Sequence, residues 1–162
     1  MLFEARRKEQ SGFTPGRSTI DRISTLNSII QGRREYRQPL WIAYVYLKAA
    51  FVSVDCPSLW LLLRSLGVPS KIVNLMTARY TETTSCVHTD GELSGWFDIK
   101  SGVRQRCAIA PDLFLAPMDW ILERSSHKGF LGATLVDDLF TDLDFADDVA
   151  LLAEMLDVLE KK

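Results

Sequence analysis

Ile20, Ile23, Leu26 and Ile30 recur every three or four residues behind Ser18 and Thr19. That spacing predicts a helix capped by Ser18 or Thr19, with one apolar face, running to about Gln31 and ended by Gly32. Past Arg33, Arg34 and Arg37 the pattern changes, and Leu40 to Leu47 is a continuous apolar run rich in aromatic and β-branched residues. It predicts a strand buried on both faces. Asp55, Cys56 and Pro57 predict a helix start with Gly67 just past the end, and Pro69 with Ser70 opens a second helix to about Tyr80. Residues 83–89 and 95–99 read as strands joined around Asp90 and Gly91, a hairpin signal. A loop from Ser101 to Ala110 leads to Pro111 and a helix to about Arg124, which Pro117 should kink. Residues 139–152 predict two short strands with a turn at Ala146, Asp147 and Asp148, ahead of a C-terminal helical stub. Helices and strands mix without regular alternation, so the expected class is α+β rather than a doubly wound parallel sheet.

No repeat, low-complexity tract or Pro/Gly-rich linker interrupts the chain, so one continuous unit is expected from its 162 residues. With 47% hydrophobic and 25% charged residues, the composition excludes a disordered or fibrous chain. No run approaches the ~18 apolar residues of a membrane span. The first residues carry charges where a signal peptide needs its apolar core. Three cysteines, Cys56, Cys86 and Cys107, make no disulfide framework and fit a reducing, intracellular setting.

Net charge is only −2, but it is unevenly spread. Residues 1–40 hold eight Lys/Arg against four Asp/Glu, and residues 101–162 hold six against twelve. Such polarity suits a phosphate-facing surface at one end and a cation-holding site at the other, and it equally suits scattered, solvated charge.

Six aspartates fall between Asp137 and Asp148 with no basic residue among them, interleaved with Leu139, Phe140, Leu143, Phe145 and Ala146. Carboxylates crowded against apolar surface repel one another unless a cation or an arginine intervenes. Hard oxygen ligands suit Mg²⁺ or Ca²⁺. An EF-hand loop fails, because counting from Asp142 the required Gly is Asp147. Zinc fails as well: His88 and His127 are not spaced with the cysteines as ligand pairs, and Cys86 with His88 reads as a buried thiol beside a surface imidazole. Adjacent aspartates at a hairpin tip could hold Mg²⁺ for in-line phosphoryl transfer, given a further carboxylate from a neighbouring strand. Alone, such a pair reads as a turn.

Three more segments stand beside it. Phe145-Ala146-Asp147-Asp148 resembles the catalytic hairpin of reverse transcriptases, in the form found in non-long-terminal-repeat (LINE-type) retrotransposons. Gln10-Ser11-Gly12-Phe13-Thr14-Pro15-Gly16-Arg17-Ser18-Thr19 resembles that family's fingers motif, and Val45 to Asp55 resembles its first palm motif. Gly102 to Pro111 is similar to its template-gripping loop. The motifs keep the family's order and spacing over nearly all of residues 8–157.

The resemblance implies a polymerase palm, an antiparallel sheet backed by helices, over residues 39–162, with part of the fingers in residues 1–38. It implies RNA-directed DNA polymerisation by a two-metal mechanism, with Mg²⁺ or Mn²⁺ as cofactor. RNA template, DNA primer and deoxynucleoside triphosphates are the implied partners, and the family's chromosomal target implies nuclear residence. Asp147 would bind metal with Asp148 as a weaker contributor, and the Leu47 carbonyl would touch the second ion. Phe51 would lie under the incoming sugar and crowd a 2′-hydroxyl. Gln105 would contact the nucleotide, Gly102 to Arg104 would lie near template and nucleotide, and Arg17 near the template.

Several departures bear on activity. Tyr46 stands where the family places its essential metal-binding Asp, and a phenol, titrating near ~10, supplies no charge to Mg²⁺. Val52 stands where most members have a second Asp, and Arg106 where a Gly lets backbone approach the substrate. Ala110 replaces a helix-capping Ser. Each of the first three is one nucleotide change from the family residue, as in a degenerate element copy. The expectation is an inactive polymerase, truncated before the primer grip and thumb, with Trp41, Trp60 or Trp96 as sticking sites. The alternatives are a non-catalytic nucleic-acid-binding remnant and a Mg²⁺- or Ca²⁺-binding, or purely structural, domain.

Overall fold

Ser18 starts the first helix reciprocally: its hydroxyl accepts the Asp21 N–H at 3.3 Å while the Asp21 carboxylate accepts the Ser18 N–H at 2.7 Å. In the computed structural model, which describes residues 6–126, 132–135 and 138–160, this helix α1 spans Thr19–Glu35. His127 and Asp137 lie outside the described residues.

The described residues form two compact units. The first holds Ala49–Ala116, and the second holds Arg6–Lys48 with the described residues from Pro117 onward. The segment expected to belong to the fingers thus shares a unit with the aspartate hairpin.

In the second unit, β1 (Trp41–Tyr46) lies on the edge of a three-stranded antiparallel sheet. Its other strands are β8 (Asp142–Phe145) and β9 (Asp148–Ala153), in the order β1-β9-β8. A ribbon of β6 (Ala133–Leu135) and β7 (Asp138–Phe140) belongs to the same unit, as does the helical stub α6 (Leu156–Glu160). The core joins Ile29, Ala133, Leu143, Ala150 and Leu152, with Leu26 and Ile42 packed against it.

Three expectations fail here. The helix does not stop at Gly32 but continues to Glu35. A Cβ on Gly32 would lie 2.5 Å from Leu135 Cδ1, so glycine permits close helix packing instead of ending the helix. The next residue, Arg33, is buried and paired with Glu154. The buried face is also different: Ile29 is fully enclosed, while Ile20, Ile23 and Ile30 are exposed. Finally, β1 is not buried on both faces, because it is an edge strand whose Trp41, Tyr44, Val45 and Tyr46 are exposed. An apolar run alone does not distinguish an edge strand from a central one.

The first unit begins with a short helix α2 (Ala50–Ser53), followed by α3 (Cys56–Ser65) and α4 (Ser70–Tyr80). As expected, Asp55 caps α3, its carboxylate accepting the Ser58 N–H at 2.9 Å, and Gly67 follows with φ +81°. The expected hairpin is split. β2 (Thr84–Ser85) pairs with β5 (Phe97–Asp98), and β3 (His88–Thr89) pairs with β4 (Glu92–Leu93) across Asp90 and Gly91. Both turn residues have positive φ, as a tight two-residue turn requires.

Helix α5 (Ala110–Ser126) contains Pro117, whose missing N–H removes one helical hydrogen bond. Ala110 is its first residue and is buried, so it does not occupy the cap position expected of it. Trp60 is also no sticking site: it is buried, edge-on to Tyr80 with ring centroids 5.4 Å apart. Trp41 and Trp96 are exposed, as expected. All three cysteines are free.

Candidate functional site

The turn between β8 and β9 has two residues, Ala146 and Asp147, and Asp148 is already in the strand rather than the turn. Ala146 has φ +59°, an unfavourable value for a residue with a side chain. Gln10, almost fully buried, holds it there. Its Oε1 accepts the Ala146 N–H at 2.9 Å and the Gly12 N–H at 2.7 Å, and its Nε2 donates to the Ala146 carbonyl at 3.3 Å. Gly12 completes the clamp, since a Cβ there would sit 2.2 Å from Ala146 N. A motif assigned to the fingers therefore shapes the aspartate turn.

Tyr46 is the register partner of Asp148, which also pairs with Phe145 on its other side. Side chains alternate along strands, so Tyr44, Tyr46, Asp148, Ala150, Leu143 and Phe145 share one sheet face. With Arg22, Ile23 and Leu26 of α1, they line a cavity of about 270 Å³. Asp148 and Tyr46 are exposed, Asp147 is half-buried, and Leu47 follows the end of β1. Arg17 is exposed, and its guanidinium donates to the Lys8 carbonyl at 2.8 Å.

The donor set beside the turn is two carboxylates on consecutive residues and one phenol. Among the described residues, no three His, Cys, Asp or Glu side chains group to hold a metal ion. This set does not fit a two-ion centre, which needs a further carboxylate from the neighbouring strand. On the neighbouring strand, the register partner of Asp148 is the phenol Tyr46.

Asp142 and Asp144 are fully buried on the opposite face, so they are not site carboxylates. The cation missing from the local sequence arrives from the N-terminal segment. Arg7 lies 2.7 Å from Asp142 and 3.1 Å from Asp144. Burial first, then the Asp142 charge, push the Asp144 carboxyl up to about 8 despite Arg7. Burial likewise raises Asp119 to about 6, against a hydrogen bond and the charge of Arg7.

The other predicted residues gather in the first unit. Gly102 N–H donates to the Val54 carbonyl at 2.8 Å and Val103 N–H to the Phe51 carbonyl at 2.7 Å, fastening the loop to α2. A Cβ on Gly102, at φ +90°, would lie 2.6 Å from Val52 Cα, so packing explains this glycine. The Phe51 ring stacks on Phe114 with centroids 4.5 Å apart. Arg104 is tied inward, donating to the Arg79 carbonyl and to Thr83 Oγ1, both at 2.7 Å, with its guanidinium over Tyr80. Gln105 and Arg106 are exposed, and Arg106 has φ +63°. Tyr46, Leu47, Asp147, Asp148 and Arg17 are thus together in one unit, and Phe51, Gly102, Arg104, Gln105 and Arg106 in the other.

Sequence reasoning missed Arg7, Arg22, Tyr44 and Asp119. Only Tyr44 carried a legible signal, its two-residue spacing from Tyr46. Arg7 and Asp119 act across long chain separations, and Arg22 joins the site through the packing of α1 on the sheet.

Residues 2–162 match the family described as reverse transcriptase (RNA-dependent DNA polymerase). Among curated proteins, the chain is similar to Retrovirus-related Pol polyproteins from R2 retrotransposable elements. The type-1 element R2 polyprotein of Popillia japonica is 27% identical over 146 residues, 90% of this chain and 20% of that protein. The type-2 element R2DM polyprotein of Drosophila melanogaster is 27% identical over 145 residues, 90% of this chain and 14% of that protein. The type-1 element R2 polyprotein of Nasonia vitripennis is 31% identical over 147 residues, again 90% and 14%. The chain therefore spans a fifth or less of the length of these relatives. A solved structure of apo telomerase from Candida tropicalis, truncated from the C-terminal domain, is similar in fold. Its TM-score is 0.65 at 15% identity, over 99% of this chain and 34% of that one.

Proposed function

The chain belongs to the reverse transcriptase (RNA-dependent DNA polymerase) family, and we propose that it is a retrotransposon polymerase core disabled at its metal centre. The similarity to R2 polyproteins supports an origin in a non-long-terminal-repeat element. The telomerase likeness supports the α+β polymerase fold.

The carrying observation is the pairing of Tyr46 with Asp148. It puts a phenol beside the hairpin, where the family motif has a carboxylate. Reverse transcriptases generally use divalent metal ions, and in a two-metal scheme these stabilise the attacking and leaving oxygens. With one carboxylate replaced, Asp147 and Asp148 would hold an ion only weakly, and the chemistry that ion supplies to nucleotidyl transfer would be lost. In the active ancestor, Leu47 and Phe51 sit at the nucleotide, Arg104, Gln105 and the residue at Arg106 flank it, and Gly102 and Arg17 lie along the template. Residues 1–38 are then the partial fingers and 39–162 the palm.

Primer extension on an RNA template, with Mg²⁺ or Mn²⁺ and deoxynucleotides, tests this. No product is expected from the native chain, and robust product overturns the disabled centre. Mn²⁺ titration followed by electron paramagnetic resonance should show tighter binding in Tyr46→Asp than in the native chain. Equal binding also overturns it. A second reading, nucleic-acid binding without chemistry, is favoured by the two exposed tyrosines on β1.

A further inference from the structure

We propose that the β1 face beside the aspartate turn binds an unpaired nucleobase of single-stranded nucleic acid, sandwiched between the Tyr44 and Tyr46 rings. The proposal rests on the nucleic-acid-binding reading above and names its subsite.

Tyr44 and Tyr46 are 72% and 75% exposed, on the same face of an edge strand. Two residues of strand place them ~6.7 Å apart. Bases in a nucleic-acid strand stack ~3.4 Å apart, so this gap admits one flat ring with both of its faces covered. Both tyrosines line the 270 Å³ cavity, whose other walls are largely apolar, from Ile23, Leu26, Leu143, Phe145 and Ala150. It suits one base rather than a drug-sized ligand, for which pockets begin near ~300 Å³.

Two polar groups give the site direction. Asp148, the register partner of Tyr46, offers a carboxylate that accepts from an exocyclic amino group. Adenine, cytosine and guanine carry such a group in positions that thymine and uracil do not. Arg22, which also lines the cavity, is held in place by donating to Ser11 Oγ at 2.5 Å and to the Lys8 carbonyl at 3.1 Å. Its positive charge faces the strand's phosphates without having to be ordered first. Replacing a carboxylate with Tyr46 both removes a charge that repels phosphate and adds a stacking surface. Loss of the metal centre and gain of the base site follow from the same residue.

The test is fluorescence anisotropy of a labelled six-nucleotide oligodeoxyadenylate against an abasic phosphodiester of equal length, in EDTA. Base stacking predicts a preference for the oligodeoxyadenylate of ~5–150-fold. Tyr44→Ala and Tyr46→Ala should each lose ~10-fold of that affinity, and Tyr46→Asp at least as much, while Tyr46→Phe retains it. Because both side chains are exposed, melting of the variants should match the native chain, checked by circular dichroism. Equal binding of the abasic polymer overturns the site without needing any variant, and so does unchanged binding by both alanine variants. The assay contains no metal, so it fails separately from primer extension. A native chain that extends primers overturns the disabled centre only, and one that ignores bases overturns the stacking site only.

Discussion

The Gln10 side chain grips both backbone groups of Ala146: its Oε1 accepts the N–H at 2.9 Å and its Nε2 donates to the carbonyl at 3.3 Å. Residues 136 positions apart are joined by one amide, at a backbone conformation that alanine adopts at a cost.

Replacing Gln10 with Ala leaves buried backbone groups of Ala146 and Gly12 unpaired. A loss of about 3 kcal/mol or more is expected, at ~1–3 kcal/mol for each of the three unsatisfied buried groups. Urea denaturation of the full chain measures it. A midpoint unchanged from the native protein would show that the clamp contributes nothing to stability.

The buried Arg7 cluster predicts a pH slope. Burial pushes the Asp144 carboxyl up to about 8 and the Asp119 carboxyl up to about 6, both above the usual carboxylate range. Both are raised, so each favours the folded state most below about pH 4. Stability should fall as pH rises, through about 6 for Asp119 and about 8 for Asp144. The slope reaches at most ~1.4 kcal/mol per pH unit for each proton. Asp144→Asn should flatten the decline between pH 6 and 8 while retaining an acceptor for Arg7. Thermal melts across pH 4–9 would show it, and a native curve rising through that window would refute the assignment.

Arg106 is exposed at φ +63°, a conformation that glycine adopts without steric cost. Arg106→Gly should therefore stabilise the chain by ~1 kcal/mol, visible as a raised melting temperature. A lowered melting temperature would mean that the arginine side chain makes contacts outweighing its backbone strain.

Gly102→Ala should do the reverse. Its Cβ would lie 2.6 Å from Val52 Cα and 2.9 Å from the Val52 carbonyl, at φ +90°. Backbone would have to shift in a loop fastened to α2, costing ~1–3 kcal/mol or more. Denaturant midpoints for this variant and Arg106→Gly, taken together, test whether the two positive-φ positions of one loop respond in opposite directions.

Local chemistry made much of the fold legible. Ser18 with Asp21, Asp55 with Ser58, Gly67, and Asp90 with Gly91 each act through neighbours in the chain, so their residue types sufficed. The aspartate hairpin was legible because it combines a turn with a recognisable motif. Gly32 misled, because its role depends on Leu135, which arrives from far along the chain. The 40–47 run misled because hydrophobicity reports what a strand can bury, not how many neighbours it has.

The sequence by itself determined the class of fold, the family, the caps of α1 and α3, the Asp90–Gly91 turn, and the phenol at position 46. Those depend on residue type and local spacing. Only the tertiary structure decided which aspartates are buried against Arg7 and which lie at the turn. It alone brought Gln10 onto Ala146, Tyr46 opposite Asp148, and Tyr44 with Tyr46 into the lining of one largely apolar cavity. The physical reason is that charge compensation, strand register and packing join residues more than a hundred positions apart, and no local pattern encodes those pairings.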